Sequence, residues 1–397
     1  MAEKVGVLFL QSHEGFGADA VIHSHIMRHL DRERFEVHAA VTVGDGVTPS
    51  RPLRILQEIP GLHVRPTQFM PGLRGRSLGA LWAGMRAGVN FPKDFKDLRR
   101  YIETNRIRVI HSGDHPRDCV TAVLLGKMTS AKSLIHVHVK WASHYSAPAK
   151  WAVRSADAIL GISEYVTSTV VGMGRPAKDV STVLNCVDVS SWDPEAADGG
   201  AIRREFGIAA DAPLIASVSR LFAWKGQREL LQSFAAARRE LPALKLLIVG
   251  ADEREAHSGS FTAELKQLAE QLGVSEHVIF TGARSDVPQI MAACDVFTLP
   301  SFEEPFGLVY LEAMAMRRPI AALDNGGTPE VVEHGKAGLL SAPYDIAAYT
   351  ANILTLLRDP AMRARMGEYG RQRVVEFFNA PRMAAETAAV YEKLLRS

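Results

Sequence analysis

The chain has 397 residues, 47% hydrophobic and 23% charged, enough for two domains of roughly 150–200 residues and unlike a disordered or fibrous chain. No apolar run approaches the ~20 residues of a membrane-spanning helix. The three cysteines, Cys119, Cys186 and Cys294, are scattered. They set neither a disulfide framework nor a metal spacing, so a cytoplasmic, reducing setting is expected.

Net charge is +2, but residues 1–190 hold 24 Lys+Arg against 17 Asp+Glu, or +7. The remainder holds 22 against 27, or −5. A basic first half suits an anionic partner, with scattered surface charge as the plain alternative.

Residues 5–10 are too short for a secretory apolar core and read as a buried strand. The loop after it contains Gly15-x-Gly17-x-x-Ala20. That matches a dinucleotide fingerprint, yet residues 11–14 lengthen the turn, and Asp45 is the nearest acid to the end of the next strand, so NAD is not expected. Further strands are expected at 36–43, 109–111, 134–139, 158–162 and 181–184. Between them, residues 51–86 carry Arg51, Arg54, Arg65, Arg74, Arg76 and Arg86 against the single acid Glu58, interleaved with Phe69, Met70 and Trp82. Such a segment reads as an amphipathic helix, with its arginine face either in solvent or on an anionic membrane.

Polar, turn-rich residues 191–212 read as a linker with one short helix. The strand pattern then restarts at 214–218, 245–249, 277–281, 296–299 and 319–322, with helices at 227–240 and 262–272. Strands alternating with helices imply parallel sheets with crossover helices. Residues 381–397 form a last amphipathic helix.

Three segments carry chemistry. Ser219-Arg220…Lys225-Gly226 follows a strand, where ligands of open α/β sheets gather; the arginine can fork onto phosphate and the lysine can add a point charge. Glu304-Pro305-Phe306-Gly307-Leu308-Val309-Tyr310-Leu311-Glu312 opens a helix near Gly307. The first N–H groups of that helix suit phosphate oxygens, and the two carboxylates eight residues apart suit hydroxyl donors. Asn325-Gly326-Gly327-Thr328-Pro329-Glu330 lets backbone approach a ligand before a helix start. Each alone reads equally as a surface loop, a capping acid or a turn.

In this order, with Val249-Gly250 and Phe280-Thr281-Gly282 between them, these segments resemble glycosyl transferases group 1. This is the retaining family of sucrose-phosphate synthases, bacterial glycogen synthases and phosphatidylinositol mannosyltransferases. Residues 158–164 and 183–188 resemble two further family segments, although Cys186 stands where glycine is common.

The resemblance implies a GT-B fold, two Rossmann-like parallel-sheet α/β domains facing a cleft. They would comprise an acceptor-binding domain at 1–190, a linker at 191–212 and a donor domain at 213–375. A C-terminal helix at 376–397 would pack back toward the first domain. It implies that Arg220 and Lys225 hold the donor diphosphate, Glu304 the transferred sugar and Glu312 the ribose. Gly282 and Arg284 would border the base, with Phe306, Gly307, Leu308 and Val309 also at the donor. Gly15 and Gly17 would present backbone to its phosphates, and His138, ending Ile135-His136-Val137-His138, would stand beside the sugar.

Arg65, Arg74, Arg76 and Trp82 are candidates for acceptor contact. The expected partners are a nucleotide sugar and a hydroxyl acceptor, lipid-linked or soluble, with no nucleic acid. No cofactor or essential metal is expected, because cations and a helix start meet the leaving-group charge. A sugar-nucleotide epimerase and a non-catalytic nucleotide-sugar binder are the alternatives.

Overall fold

The computed structural model describes residues 3–43, 49–69, 94–252 and 260–396. The chain divides into two compact units, one of Met1–Asn185 with Ala380–Ser397, the other of Cys186–Asn379.

The first unit holds β1 Val5–Gln11, β2 Phe35–Thr42, β3 His63–Thr67, β4 Ile107–Gly113, β5 Lys132–Val137, β6 Ala158–Gly161 and β7 Val180–Thr182. They form one sheet in the order β3-β2-β1-β4-β5-β6-β7, parallel throughout. Its helices are α1 Ala18–His29, α2 Arg51–Gln57, α3 over residues 94–104, α4 Pro116–Met128, α5 Ala147–Ser155 and α6 Glu164–Gly172. Central strands covered on both faces become continuous apolar runs, as in Val7-Leu8-Phe9-Leu10, which is at most 1% exposed.

The second unit holds β8 Leu214–Val218, β9 Lys245–Val249, β10 Val278–Gly282, β11 Val296–Leu299, β12 Ile320–Leu323 and β13 Gly338–Ser341. The parallel order is β10-β9-β8-β11-β12-β13. Its helices are α7 Gly199–Glu205, α8 Gln227–Glu240, α9 Phe261–Gln271, α10 Val287–Ala293, α11 Leu308–Ala315, α12 Thr328–Val331, α13 Ile346–Arg358 and α14 Pro360–Phe377. The last helix, α15 Ala380–Arg396, belongs to the first unit. Among the described residues no helix is long and apolar enough to cross a membrane.

Several expectations need correction. Residues 51–69 are not one amphipathic helix. Ser50 caps α2 by accepting the Leu53 N–H at 3.2 Å, and the chain then turns into β3. That strand hid because it is an edge, where Pro66 and polar residues are tolerated. β13 hid for another reason: a Cβ on Gly338 would stand 2.3 Å from the Ile320 carbonyl oxygen, so only glycine fits beside β12. The break between units falls at Asn185/Cys186 rather than 190, and the return at Asn379/Ala380 rather than 376. Residues 191–212 are built into the second unit, with the Arg203 Nε–H donating to the Ala293 carbonyl at 3.0 Å and Gly199 lying against the Ala292 backbone.

Candidate active site

In each sheet the strand order reverses beside its first strand, between β1 and β4 and between β8 and β11. Ligands of open α/β sheets bind beyond the carboxyl ends at such points. In the second unit the loops after β8 and β11 carry the two strongest sequence motifs. They are tied together where the Phe302 N–H donates to the Trp224 carbonyl at 2.8 Å.

Arg220 follows β8 and is exposed, its guanidinium 5.0 Å from the Phe222 ring centre, and no carboxylate partners it among the described residues. Lys225 ends a 3-10 turn over Ala223–Lys225. Its Nζ donates to Glu304 Oε2 at 2.6 Å and lies 4.1 Å from the Trp224 ring centre. With side-chain exposures of 14% and 8%, the lysine and the glutamate are one unit. Sequence reasoning assigned them to different parts of the ligand and did not see the pair.

Gly307 holds φ 93° and sets the start of α11 at Leu308. The leading N–H groups of that helix, from Leu308 and Val309, have no acceptor within it. Phe306 is 1% exposed and packs on Phe378 with ring centres 6.1 Å apart, so it offers a ligand backbone and not its ring. Glu312 lies further along α11, half-buried, with no hydrogen-bond partner among the described residues. Burial alone pushes its carboxyl up to about 7.

A hydroxyl donor binds the ionised carboxylate best. With Glu312 on the ribose, as the resemblance implies, nucleoside diphosphate affinity should rise as pH climbs through about 7 and Glu312 loses its proton. The phosphate titrates too, near pH 6, but equally in Glu312→Gln. Calorimetry should show the variant-to-wild-type Kd ratio growing about ten-fold from about pH 6 to about pH 8. A ratio constant with pH removes the Glu312 carboxylate from the ligand.

The pair Gly326-Gly327 also has a structural use. A Cβ on Gly326, whose φ is +61°, would stand 2.4 Å from the Glu304 carbonyl oxygen, and one on Gly327 would stand 2.5 Å from that of Pro305. The Gly327 N–H donates to the Glu304 carbonyl at 2.7 Å. The glycines seat the Glu304 loop against the protein. Arg284 is engaged by two carboxylates: it donates to Asp286 from Nε and Nη2 at 2.8 and 2.6 Å, and to Glu205 from Nη1 and Nη2 at 2.6 and 2.9 Å. These bonds hold its pKa above the ordinary value. Gly282 ends β10 with φ +69° and open space beside it.

In the first unit Gly15 likewise faces open space, and Gly17 is the N-terminal cap of α1. His138 follows β5, and its backbone N–H donates to Asp114 Oδ2 at 3.0 Å. Burial, reinforced by His23 and opposed by Asp19, keeps its imidazole pKa below the usual value. It is therefore neutral near pH 7. Burial also pushes Asp114 and Asp118 up to about 7. Asp114, the acceptor of the His138 backbone N–H, was missed beside that candidate; its signal is the polar run His111-Ser112-Gly113-Asp114-His115 at the carboxyl end of β4 beside the switch point.

Arg65 lies on β3 with its guanidinium 4.8 Å from the Tyr101 ring centre. Arg74, Arg76 and Trp82, like Asp45, lie outside the described residues. The thiols of Cys119, Cys186 and Cys294 are free and pushed up to about 12, chiefly by burial, so none is a ready nucleophile.

Two family models match the chain: "Glycosyl transferases group 1" over residues 199–373 and "Glycosyl transferase 4-like domain" over residues 17–186. The chain is 29% identical over 247 residues to N-acetyl-alpha-D-glucosaminyl L-malate synthase of Bacillus anthracis, covering 62% of each chain. It is 33% identical over 225 residues to a GDP-mannose-dependent alpha-(1-6)-phosphatidylinositol monomannoside mannosyltransferase of Mycolicibacterium smegmatis, covering 54% of this chain and 57% of the relative. These matches span about three fifths of the relatives' length. The crystal structure of Anabaena HepE in complex with UDP superposes with a TM-score of 0.79 at 22% identity, covering 98% of this chain and 100% of that one. That likeness, with the two parallel sheets, establishes the GT-B fold class of two Rossmann-like α/β domains.

Proposed function

From the match of residues 199–373 to the group 1 glycosyl transferases and of residues 17–186 to the glycosyl transferase 4-like domain, we propose that the chain moves a sugar, with retained configuration, from a nucleoside-diphosphate sugar to an acceptor hydroxyl. One observation carries this reading. The Lys225–Glu304 pair stands at a switch point beside the free start of α11, with the partnerless Glu312 carboxyl further along the same helix.

As the anomeric carbon–oxygen bond breaks, charge grows on the departing diphosphate. Arg220, Lys225 and the Leu308 and Val309 N–H groups meet it, so the reaction needs no metal there. The acceptor oxygen bonds to the same face of the sugar, and its proton passes to the leaving phosphate oxygen. Glu304, positioned by Lys225, holds sugar hydroxyls; Glu312 holds the ribose. Gly282 and Arg284 border the base, and Arg284 acts through the orientation its two carboxylates impose. Neutral His138 accepts or donates a hydrogen bond at the sugar, and Gly15 and Gly17 offer backbone to the phosphates. The basic first unit, Arg65 included, takes the acceptor on the cytoplasmic side. A lipid acceptor would bring the chain to the membrane periphery.

The test is release of nucleoside diphosphate from a panel of UDP-, GDP- and ADP-sugars with chelator present. L-malate and phosphatidylinositol mannoside represent the acceptor classes that the relatives' names point to. The expected result is acceptor-dependent release and a product whose anomeric coupling in NMR matches the donor's. Epimerised donor without acceptor would replace this reading with an epimerase, and an inverted product would remove retention. Within the site, Glu304→Gln should lower turnover while leaving diphosphate affinity close to wild type, and Glu312→Gln should do the reverse. Calorimetry and steady-state rates separate the two, and loss of turnover alone in both would undo the assignments.

A further inference from the structure

Three imidazoles meet inside the first unit with no part in the reaction described above. His23 on α1, His111 on β4 and His136 on β5 each offer a ring nitrogen, and these nitrogens all lie within 4.8 Å of one another. The three side chains are at most 1% exposed. His111 Nε2 and His136 Nδ1 are 3.3 Å apart. Two nitrogens bound at about 2.0–2.1 Å to one tetrahedral zinc stand about 3.4 Å apart, so this pair is already at ligand spacing.

Two other features point to a ligand. His23 Nδ1 is buried without a hydrogen-bond partner. A buried polar atom left unpaired is costly and uncommon. On the far side of His111, Tyr391 Oη from α15 stands 2.6 Å from Nδ1. An outer partner of this kind fixes the tautomer and orientation of a ligating histidine.

We propose that His23, His111 and His136 form a binding site for a divalent transition-metal ion of the zinc type, with Tyr391 as a positioning residue for His111. Imidazoles without carboxylates favour such ions over Mg²⁺ or Ca²⁺. The ion ties α1 to β4 and β5, and α15 to them through Tyr391. Its effect is on the stability of the first unit, and it takes no part at the donor diphosphate.

The full chain, stripped by chelator, is titrated with Zn²⁺ against a chromophoric competitor and with Co²⁺ as a visible probe. One equivalent, tetrahedral cobalt bands and a raised Tm are expected, since an ion that binds only the native state stabilises it. His136→Gln should weaken Zn²⁺ by at least ~100-fold, and Tyr391→Phe by roughly ten-fold. Circular dichroism checks each fold. If the histidine variant does not fold, Tyr391→Phe and X-ray absorption at the zinc edge of the wild-type protein decide, and the spectrum must contain imidazole scattering. Less than one equivalent bound, octahedral cobalt, or affinity unchanged in the folded variants would overturn the site.

Discussion

Lys225→Ala is expected to lose both turnover and stability, whereas Arg220→Ala loses turnover alone. In the proposed reaction both cations meet leaving-group charge, and removing one such group commonly lowers the rate by about a hundred- to a thousand-fold. Their surroundings separate them. Arg220 is exposed and without a carboxylate partner among the described residues, and truncating a surface side chain shifts stability by only about 0.5 kcal/mol. Lys225 holds Glu304 at 2.6 Å with both side chains largely buried. Its loss strands a buried carboxylate, at a cost of about 3 kcal/mol or more. Denaturant melts alongside steady-state rates check this. The double variant Lys225→Met with Glu304→Gln should recover much of the stability and none of the turnover. Equal melts for Lys225→Ala and wild type would mean that the pair does not hold in solution.

Gly326→Ala is expected to be as damaging, although residue 326 makes no proposed contact with substrate. The new Cβ would lie 2.4 Å from the Glu304 carbonyl oxygen and 2.9 Å from its nitrogen, at a backbone φ of +61°. Overpacking of this kind costs about 1–3 kcal/mol and the left-handed backbone about 1–3 more. Relief requires the Glu304 loop to move, and a shift of about 1 Å at a reacting group lowers the rate about a hundred-fold. Gly335→Ala is the control: its φ is +78°, but a Cβ there meets nothing within 4 Å. It should cost only the backbone strain and leave turnover unchanged. If the two variants behave alike, the seating of Glu304 on the glycine pair is wrong.

The local chain carried much of this protein's organisation. Central strands such as β8, β9 and β11 were legible to the residue, because a parallel strand buried on both faces must be apolar along its length. Helix α8 was equally legible, since its apolar spacing is fixed by the helical period. Gly307 before Leu308 marked the start of α11 because a left-handed cap needs no Cβ. What the local chain leaves open is what meets across it. Lys225 and Glu304 are 79 residues apart, and only the adjacency of β8 and β11 turns two lone charges into one ion pair. At the Gly326-Gly327 turn local sequence shows that space is needed, and not that the Glu304 and Pro305 backbone packs there. His23, His111 and His136 come from three separate elements, and only the β1–β4–β5 order draws them together. Pair formation, the use of a tight turn and the burial that raises Glu312 are properties of neighbours distant in sequence, so tertiary structure alone decided them.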